Sequence, residues 1–142
     1  MLASQAGYFS LGYFRVMSEL PPSDFMMIRK STDAAIRNNL RILYLLALAA
    51  ALLVLIMHRH ELGSLRGILI CVSVLCLVAD IIIAKTGSER INAVINDASI
   101  EILVLQPQLQ TKWLQLLAIR GGLSIAGFLL LIASIVFTKK FI

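Results

Sequence analysis

Charge is scarce in this sequence, and aromatic residues and proline are scarce as well. Asp, Glu, Lys and Arg make up 15% of the 142 residues, whereas hydrophobic residues make up 59% and aromatic residues 7%. That composition excludes an ordinary soluble domain of this length. It predicts a single membrane domain over residues 1–142, because no stretch is left for a second folded unit.

The sequence also lacks the motifs that mark common catalytic and metal sites. It has no P-loop, HExxH or GxSxG pattern. Cys71 and Cys76 lie in one apolar helix but point in different directions, which predicts two free thiols. His58 and His60 do not share a helix face, so they are poor metal ligands. We expect no metal and no cofactor, and the net charge of +5 indicates lipid headgroups rather than nucleic acid as partners.

The last apolar segment, residues 113–137, is long enough to cross a bilayer core, which takes about 20 residues. Ala118, Gly122 and Ala126 recur in it every four residues, a spacing that lets a second helix backbone approach closely. We interpret this stripe as a helix-packing surface. Arg120 lies in the same segment on the other side of the helix, and an intramembrane charge is costly unless it is paired.

The apolar runs predict an all-α membrane bundle with four transmembrane helices and two surface helices. The first span is short and is interrupted by Arg15, so an amphipathic helix lying in the membrane interface is a second interpretation of it. The four predicted spans are residues 2–20, 40–57, 67–84 and 113–137.

Two stretches between the spans have the mixed polarity of surface helices. Residues 23–39 follow two prolines and precede the second span without a helix-breaking residue. Residues 89–106 have an apolar face and end before Pro107. We expect Lys85 and Gly87 to end the third span ahead of this second surface helix.

The distribution of basic residues predicts the orientation of the bundle. Lys and Arg are more frequent in and next to the loops 21–39 and 85–112 than on the opposite side. The positive-inside rule then places these two loops in the cytoplasm and both termini outside. We expect the membrane to be a bacterial inner membrane.

Polar residues at a similar membrane depth form a candidate site. A helix rises about 1.5 Å per residue, so Arg15, Asp80 and Arg120 are expected at similar distances inside the same membrane boundary. Tyr44 and Ser124 lie near that level on their own spans. An antiparallel bundle would bring these five side chains together.

Two interpretations of this cluster stay open. In the structural one, Asp80 pairs with Arg120 or Arg15, neutralises the charges and fixes the register of the helices. In the functional one, the excess of arginine leaves room for the polar head of a lipophilic molecule, such as a quinone-like phenol or a lipid phosphate. Such a molecule would occupy a pocket facing the cytoplasm.

Several short segments together form a pattern that is found in a known family. They are a first helix rich in Gly and aromatics that leads into Met17 and Leu20-Pro21, the pair Arg37-Asn38, the residues Asn92 and Asn96, and Trp113, Arg120 and Leu123-Ser124 of the last helix. This pattern resembles a family of small four-helix membrane proteins that includes the fungal anthrone oxygenases. The resemblance implies four spans and the oxygenation of a polycyclic phenolic substrate without a conventional cofactor.

These observations predict two alternative functions. The favoured one is a non-enzymatic accessory or scaffolding subunit, whose partners are membrane lipids and other membrane protein subunits or a second copy of this chain. The alternative is a membrane enzyme or binding protein that acts on a lipophilic quinone-like or phenolic small molecule. The favoured function follows from the small size, the packing stripe and the lack of a catalytic motif.

Overall fold

A computed structural model describes residues 2–97, 99 and 108–136, and every regular element in these ranges is helical. Three of the helical stretches are long and apolar enough to cross a membrane, which confirms the predicted class of helical membrane protein. The elements are α1 (Leu2–Tyr8), a π-helical turn (Phe9–Tyr13), α2 (Phe14–Glu19), α3 (Pro22–Met57), a 3₁₀ turn (Arg59–Glu61), α4 (Leu65–Ile83), a second π-helical turn (Ala84–Ser88), α5 (Glu89–Asp97) and α6 (Gln108–Val136).

Helix α3 joins the predicted first surface helix and the second span in one uninterrupted helix. It begins at Pro22, which is suited to the first helical position because proline has no amide hydrogen to leave unpaired there. Its 36 residues give a length of about 54 Å, whereas a bilayer core is about 30 Å thick. The polar first half of α3 therefore extends beyond the membrane.

The helix that contains the third span continues past the predicted end of that span. Helix α4, the second π-helical turn and α5 form one continuous helical stretch, Leu65–Asp97. Gly87 does not end the helix, and its missing side chain leaves room for Leu116 of α6, since a Cβ atom there would lie 2.8 Å from Leu116 Cδ1. Residues 98 and 100–106 of the predicted second surface helix lie outside the described residues.

The segment predicted as the first span is helical and consists of α1, the first π-helical turn and α2, which pack along α6. Aromatic rings line this contact, with the Phe9 ring edge-on to Trp113 at 6.1 Å between centroids. The segment is not among the three candidate spans, so a fourth membrane crossing stays a prediction. Phe137, at the predicted end of the last span, lies outside the described residues.

The buried hydrophobic core lies at one end of the bundle. We call this end the head and define it as residues 9–39, 89–97 and 108–114; the membrane part is residues 40–83 and 115–136. In the membrane part many large apolar side chains are exposed, for example Leu45 and Leu53 of α3, as expected for helices in contact with lipid. The core of the head consists of Phe9, Met17, Phe25, Met26, Ile95, Trp113 and Leu114.

Candidate functional site

Asp80 of α4 is the centre of a buried polar cluster in the membrane part. Its side chain is fully buried, and both carboxylate oxygens accept hydrogen bonds from other helices. Arg120 Nε donates to Oδ1 at 2.6 Å. Tyr44 Oη and Ser124 Oγ donate to Oδ2 at 2.7 Å and 3.1 Å. The carboxylate therefore joins α3, α4 and α6.

Arg120 closes the cluster from the other side. Its Nη2 donates to Tyr44 Oη at 2.9 Å, and its Nη1 donates to Ser88 Oγ at 3.3 Å. Tyr44 thus donates to Asp80 while it accepts from Arg120, and its ring lies 5.7 Å from the guanidinium carbon. We call Tyr44, Asp80, Ser88, Arg120 and Ser124 the Asp80 cluster.

The geometry of the Asp80 cluster is that of a structural ion pair with its polar groups satisfied. One carboxylate faces one guanidinium, so the charges cancel. The hydroxyls of Ser88 and Ser124 each bond to one member of that pair, and the hydroxyl of Tyr44 bonds to both. Removing one partner of a buried pair typically costs about 3–5 kcal/mol, because the other charge is left uncompensated. The sequence prediction placed four of these five residues together and missed Ser88.

Arg15 does not join the Asp80 cluster, contrary to the sequence expectation. It pairs with Glu19 in its own helix at 2.9 Å, and its side chain is 85% exposed. The reason lies in the orientation of α2, which buries Met17 in the head core. Two residues correspond to about 200° around a helix, so Arg15 points away from the bundle.

A second buried carboxylate, Asp33 of α3, lies in the head and was not predicted. Arg29 Nη2 donates to Oδ1 at 3.0 Å and Arg37 Nε donates to Oδ2 at 2.8 Å. Asn92 and Asn96 of α5 donate their amide groups to Oδ1 and Oδ2 at 3.2 Å and 3.0 Å. We call these five residues the Asp33 cluster, and it ties α5 to the first half of α3.

Trp113 connects the Asp33 cluster to the core of the head. Its Nε1 donates to Asn92 Oδ1 at 3.1 Å, and the guanidinium carbon of Arg29 lies 4.9 Å from the ring centroid. Phe25 packs edge-on against the same indole at 5.6 Å. Arg29 Nε is buried and has no hydrogen-bond partner among the described residues. Burial lowers the pKa of Arg29, although Asp33 acts in the opposite direction.

The cluster in the head left only a weak signal in the sequence. Arg29 and Arg37 are each four residues from Asp33, and Asn92 is four residues from Asn96. Both spacings place side chains on one helix face. The same spacings are common on solvated helices, so they do not predict that two such faces meet. The contact between α3 and α5 follows from the tertiary fold.

The predicted packing stripe of α6 faces away from the rest of the described chain. Ala118, Gly122 and Ala126 are exposed, and a Cβ atom on Gly122 would meet no atom within 4 Å. Close packing of α6 against α4 instead uses Gly127. A Cβ atom there would lie 3.2 Å from Cys76 Cβ, and Ser73 Oγ donates to the Gly127 carbonyl at 2.7 Å.

The described residues contain no group of three or more His, Cys, Asp or Glu side chains placed to hold a metal ion. Cys71 and Cys76 are free thiols, as predicted. Comparison with known proteins finds no matching family model, curated protein or solved structure. The resemblance to the anthrone oxygenase family therefore stays a prediction.

Proposed function

We propose that this chain is a non-enzymatic membrane protein that packs against other membrane protein subunits or against a second copy of itself. The Asp80 cluster supports this role, because its carboxylate, guanidinium and hydroxyl groups bond to one another. A group that acts as a general base or nucleophile must instead be available to a substrate. The cluster holds three helices together, which is what a packing subunit requires.

The exposed small-residue stripe of α6 is the observation that carries the proposal. Helices in a membrane associate through small residues, since lipid supplies no hydrophobic force between them. Gly127 already fills that role on the side of α6 that faces α4. Ala118, Gly122 and Ala126 offer an equivalent surface on the exposed side. A helix of a partner subunit fits this stripe.

The proposed orientation places the loops 21–39 and 85–112 in the cytoplasm of a bacterium, with both termini outside the inner membrane. Cytoplasmic segments of membrane proteins carry an excess of Lys and Arg. Such residues in and around the head also meet anionic lipid headgroups. Exposed basic residues on this side are Lys30, Arg37, Arg41, Lys85, Arg90 and Lys112.

The test is purification from the native membrane in a gentle detergent, followed by mass spectrometry of the intact complex. We expect the native chain to purify with a stoichiometric partner or with a second copy of itself. We expect the Ala126→Ile variant to lose that partner or copy. Ala49→Ile is the matched control, because it makes the same change at an exposed position of α3. A native chain that purifies alone, or equal loss in both variants, would overturn the proposal.

An enzyme or binding protein for a quinone-like or phenolic molecule is the weaker alternative. It needs a free polar group to meet the ligand, whereas Tyr44, Asp80 and Ser124 bond to one another. Its test is retention of such a molecule by the purified chain. Loss of that molecule in Ser124→Ala, with the helical fold intact, would favour it over the packing function.

A further inference from the structure

An apolar cavity of about 480 Å³ lies between α3, α4 and α6 in the membrane part. Leu2 of α1 contributes to one wall. The volume falls within the range of pockets that bind small molecules, which is about 300–1,000 Å³. The cavity is partly open to its surroundings, and all its lining residues except Leu2 lie in the membrane part, so a molecule in the bilayer can reach it.

The cavity exists because one face of α3 carries small residues. Ala47, Ala50 and Ala51 lie on that face and line the cavity, together with larger aliphatic side chains one turn before and after them. These small side chains leave a space between α3 and its neighbours. Lining atoms that face empty space lack dispersion contacts, so binding of a molecule that fills the cavity is favoured.

The polar groups of the lining decide the chemistry of that occupant. Only Ser73 and Ser124 carry polar side chains among the lining residues. Ser73 donates to the Gly127 carbonyl at 2.7 Å, and Ser124 donates to Asp80 at 3.1 Å. Neither hydroxyl has its proton available for a ligand. A polar headgroup placed here would lose its hydrogen bonds to water without replacement, and that loss is costly.

We propose that this cavity binds a hydrocarbon chain of a bilayer lipid. The apolar lining, the engaged serines and the opening among the membrane-spanning helices all favour an unsubstituted chain over a quinone or phenol head. The chain lies against the alanine face of α3, while the headgroup of the lipid stays outside the cavity. This inference does not depend on the proposed packing role, because the small-residue stripe of α6 is on another surface.

The experiment uses the full chain in vesicles of phosphatidylethanolamine and phosphatidylglycerol that contain a phospholipid with a diazirine in its acyl chain. After irradiation, mass spectrometry locates the modified residues. We expect the label to concentrate on cavity-lining positions such as Ala50 and Leu131, rather than on the exposed Leu45. Labelling spread evenly over the lipid-facing residues would overturn the proposal.

Two variants separate binding in the cavity from general contact with lipid. Ala47→Phe fills the cavity and should abolish the concentrated labelling, whereas Ala49→Phe places the same ring on the exposed side of α3 and should leave it unchanged. If Ala47→Phe does not fold, Ala51→Leu tests the same point with a smaller group. Strong labelling in vesicles but none in the native membrane would assign the cavity to a partner protein and overturn the proposal.

Discussion

The head and the membrane part each contain one buried aspartate, and the two differ in the charge they face. Asp80 faces a single guanidinium and its cluster is neutral. Asp33 faces two guanidinium groups, so its cluster carries one excess positive charge. The side chain of Arg37 is 44% exposed, which allows water or lipid headgroups to stabilise that excess. The membrane part has no such solvent, and there the charges match one to one.

The two regions also differ in how their apolar residues are used. The head buries a compact group of aromatic rings and methionines. In the membrane part the apolar residues of α3 are largely exposed. Hydrophobic burial therefore stabilises the head. In the spans, hydrogen bonds and close backbone contacts must take its place.

The largest effect is expected when Asp80 loses its charge. Asp80→Ala leaves the Arg120 guanidinium buried without a partner, and we expect a loss of about 3–5 kcal/mol in the free energy of unfolding. Thermal unfolding in detergent, followed by circular dichroism, measures it. Adding Arg120→Met to Asp80→Ala should restore part of that stability, because the unpaired charge is gone. An Asp80→Ala variant that is as stable as the native chain would contradict a stabilising role of the ion pair.

The same substitution in the head should cost less. Asp33→Ala also removes a buried carboxylate, but Arg37 can turn toward water and Arg29 keeps its contact with the Trp113 ring. We expect a loss of about 1.5–3 kcal/mol in the free energy of unfolding, the range for hydrogen bonds to charged groups. The same unfolding measurement on both alanine variants tests the order. An equal or larger loss for Asp33→Ala would contradict the contrast between the two regions.

A matched glycine pair tests the close contact between helices in the membrane part. Gly127→Val forces a side chain against α4 and should destabilise the chain by about 1–3 kcal/mol, as overpacking does. Gly122→Val makes the same change where nothing lies within 4 Å, so the isolated chain should unfold as the native one does. Equal destabilisation by both variants would mean that valine itself, rather than the contact with α4, is responsible.

Acid should weaken the head through Asp33. Burial acts to raise its pKa, but hydrogen bonds from Asn96 and Arg37 and the charge of Arg29 lower the pKa of Asp33 overall. A lowered folded pKa means that the carboxylate stabilises the head above its unfolded pKa of about 3.9, and that this stability is lost as pH falls through the folded value. The difference in unfolding temperature between the native chain and Asp33→Asn, measured from pH 7 to pH 3, should shrink. A constant difference would contradict this role.

The smallest effect is expected at Arg15. Its pair with Glu19 is exposed, and exposed pairs contribute at most about 1 kcal/mol. Arg15→Gln should therefore unfold within about 0.5 kcal/mol of the native chain. A loss in the free energy of unfolding as large as that of Asp80→Ala would mean that Arg15 does help to hold the bundle together.

The sequence predicted the Asp80 cluster better than the Asp33 cluster for a physical reason. Charges inside an apolar run are rare and costly, so Asp80 and Arg120 stand out in the sequence. Their similar expected depth in the membrane predicts that they lie close together. Asp33 lies among other polar residues, where nothing in the sequence distinguishes a buried face from a solvated one. The expected depth placed Arg15 level with Asp80 and Arg120, but only the packing of Met17 shows which way the Arg15 side chain points.

The boundaries of the helices show the same limit. The sequence indicated that α3 lacks a helix-breaking residue between its polar and apolar halves, and one helix formed. Lys85 and Gly87 predict the end of the third span, but the helix itself continues there through the π-helical turn Ala84–Ser88. The formation of a π-helical turn depends on packing against the neighbouring helix, and a single sequence does not predict it.

The unbroken α3 helix has a mechanical consequence. Asp33 and Tyr44 are separated by 11 positions, which places them about 16 Å apart along the axis and within about 20° of each other around it. Both clusters therefore bind the same face of helix α3, at two positions along its axis. Rotation of α3 about its long axis would break both clusters at once, whereas a bend between them would break neither. A motion of α3 that keeps both clusters intact must therefore be a tilt or a bend, not a rotation about its axis.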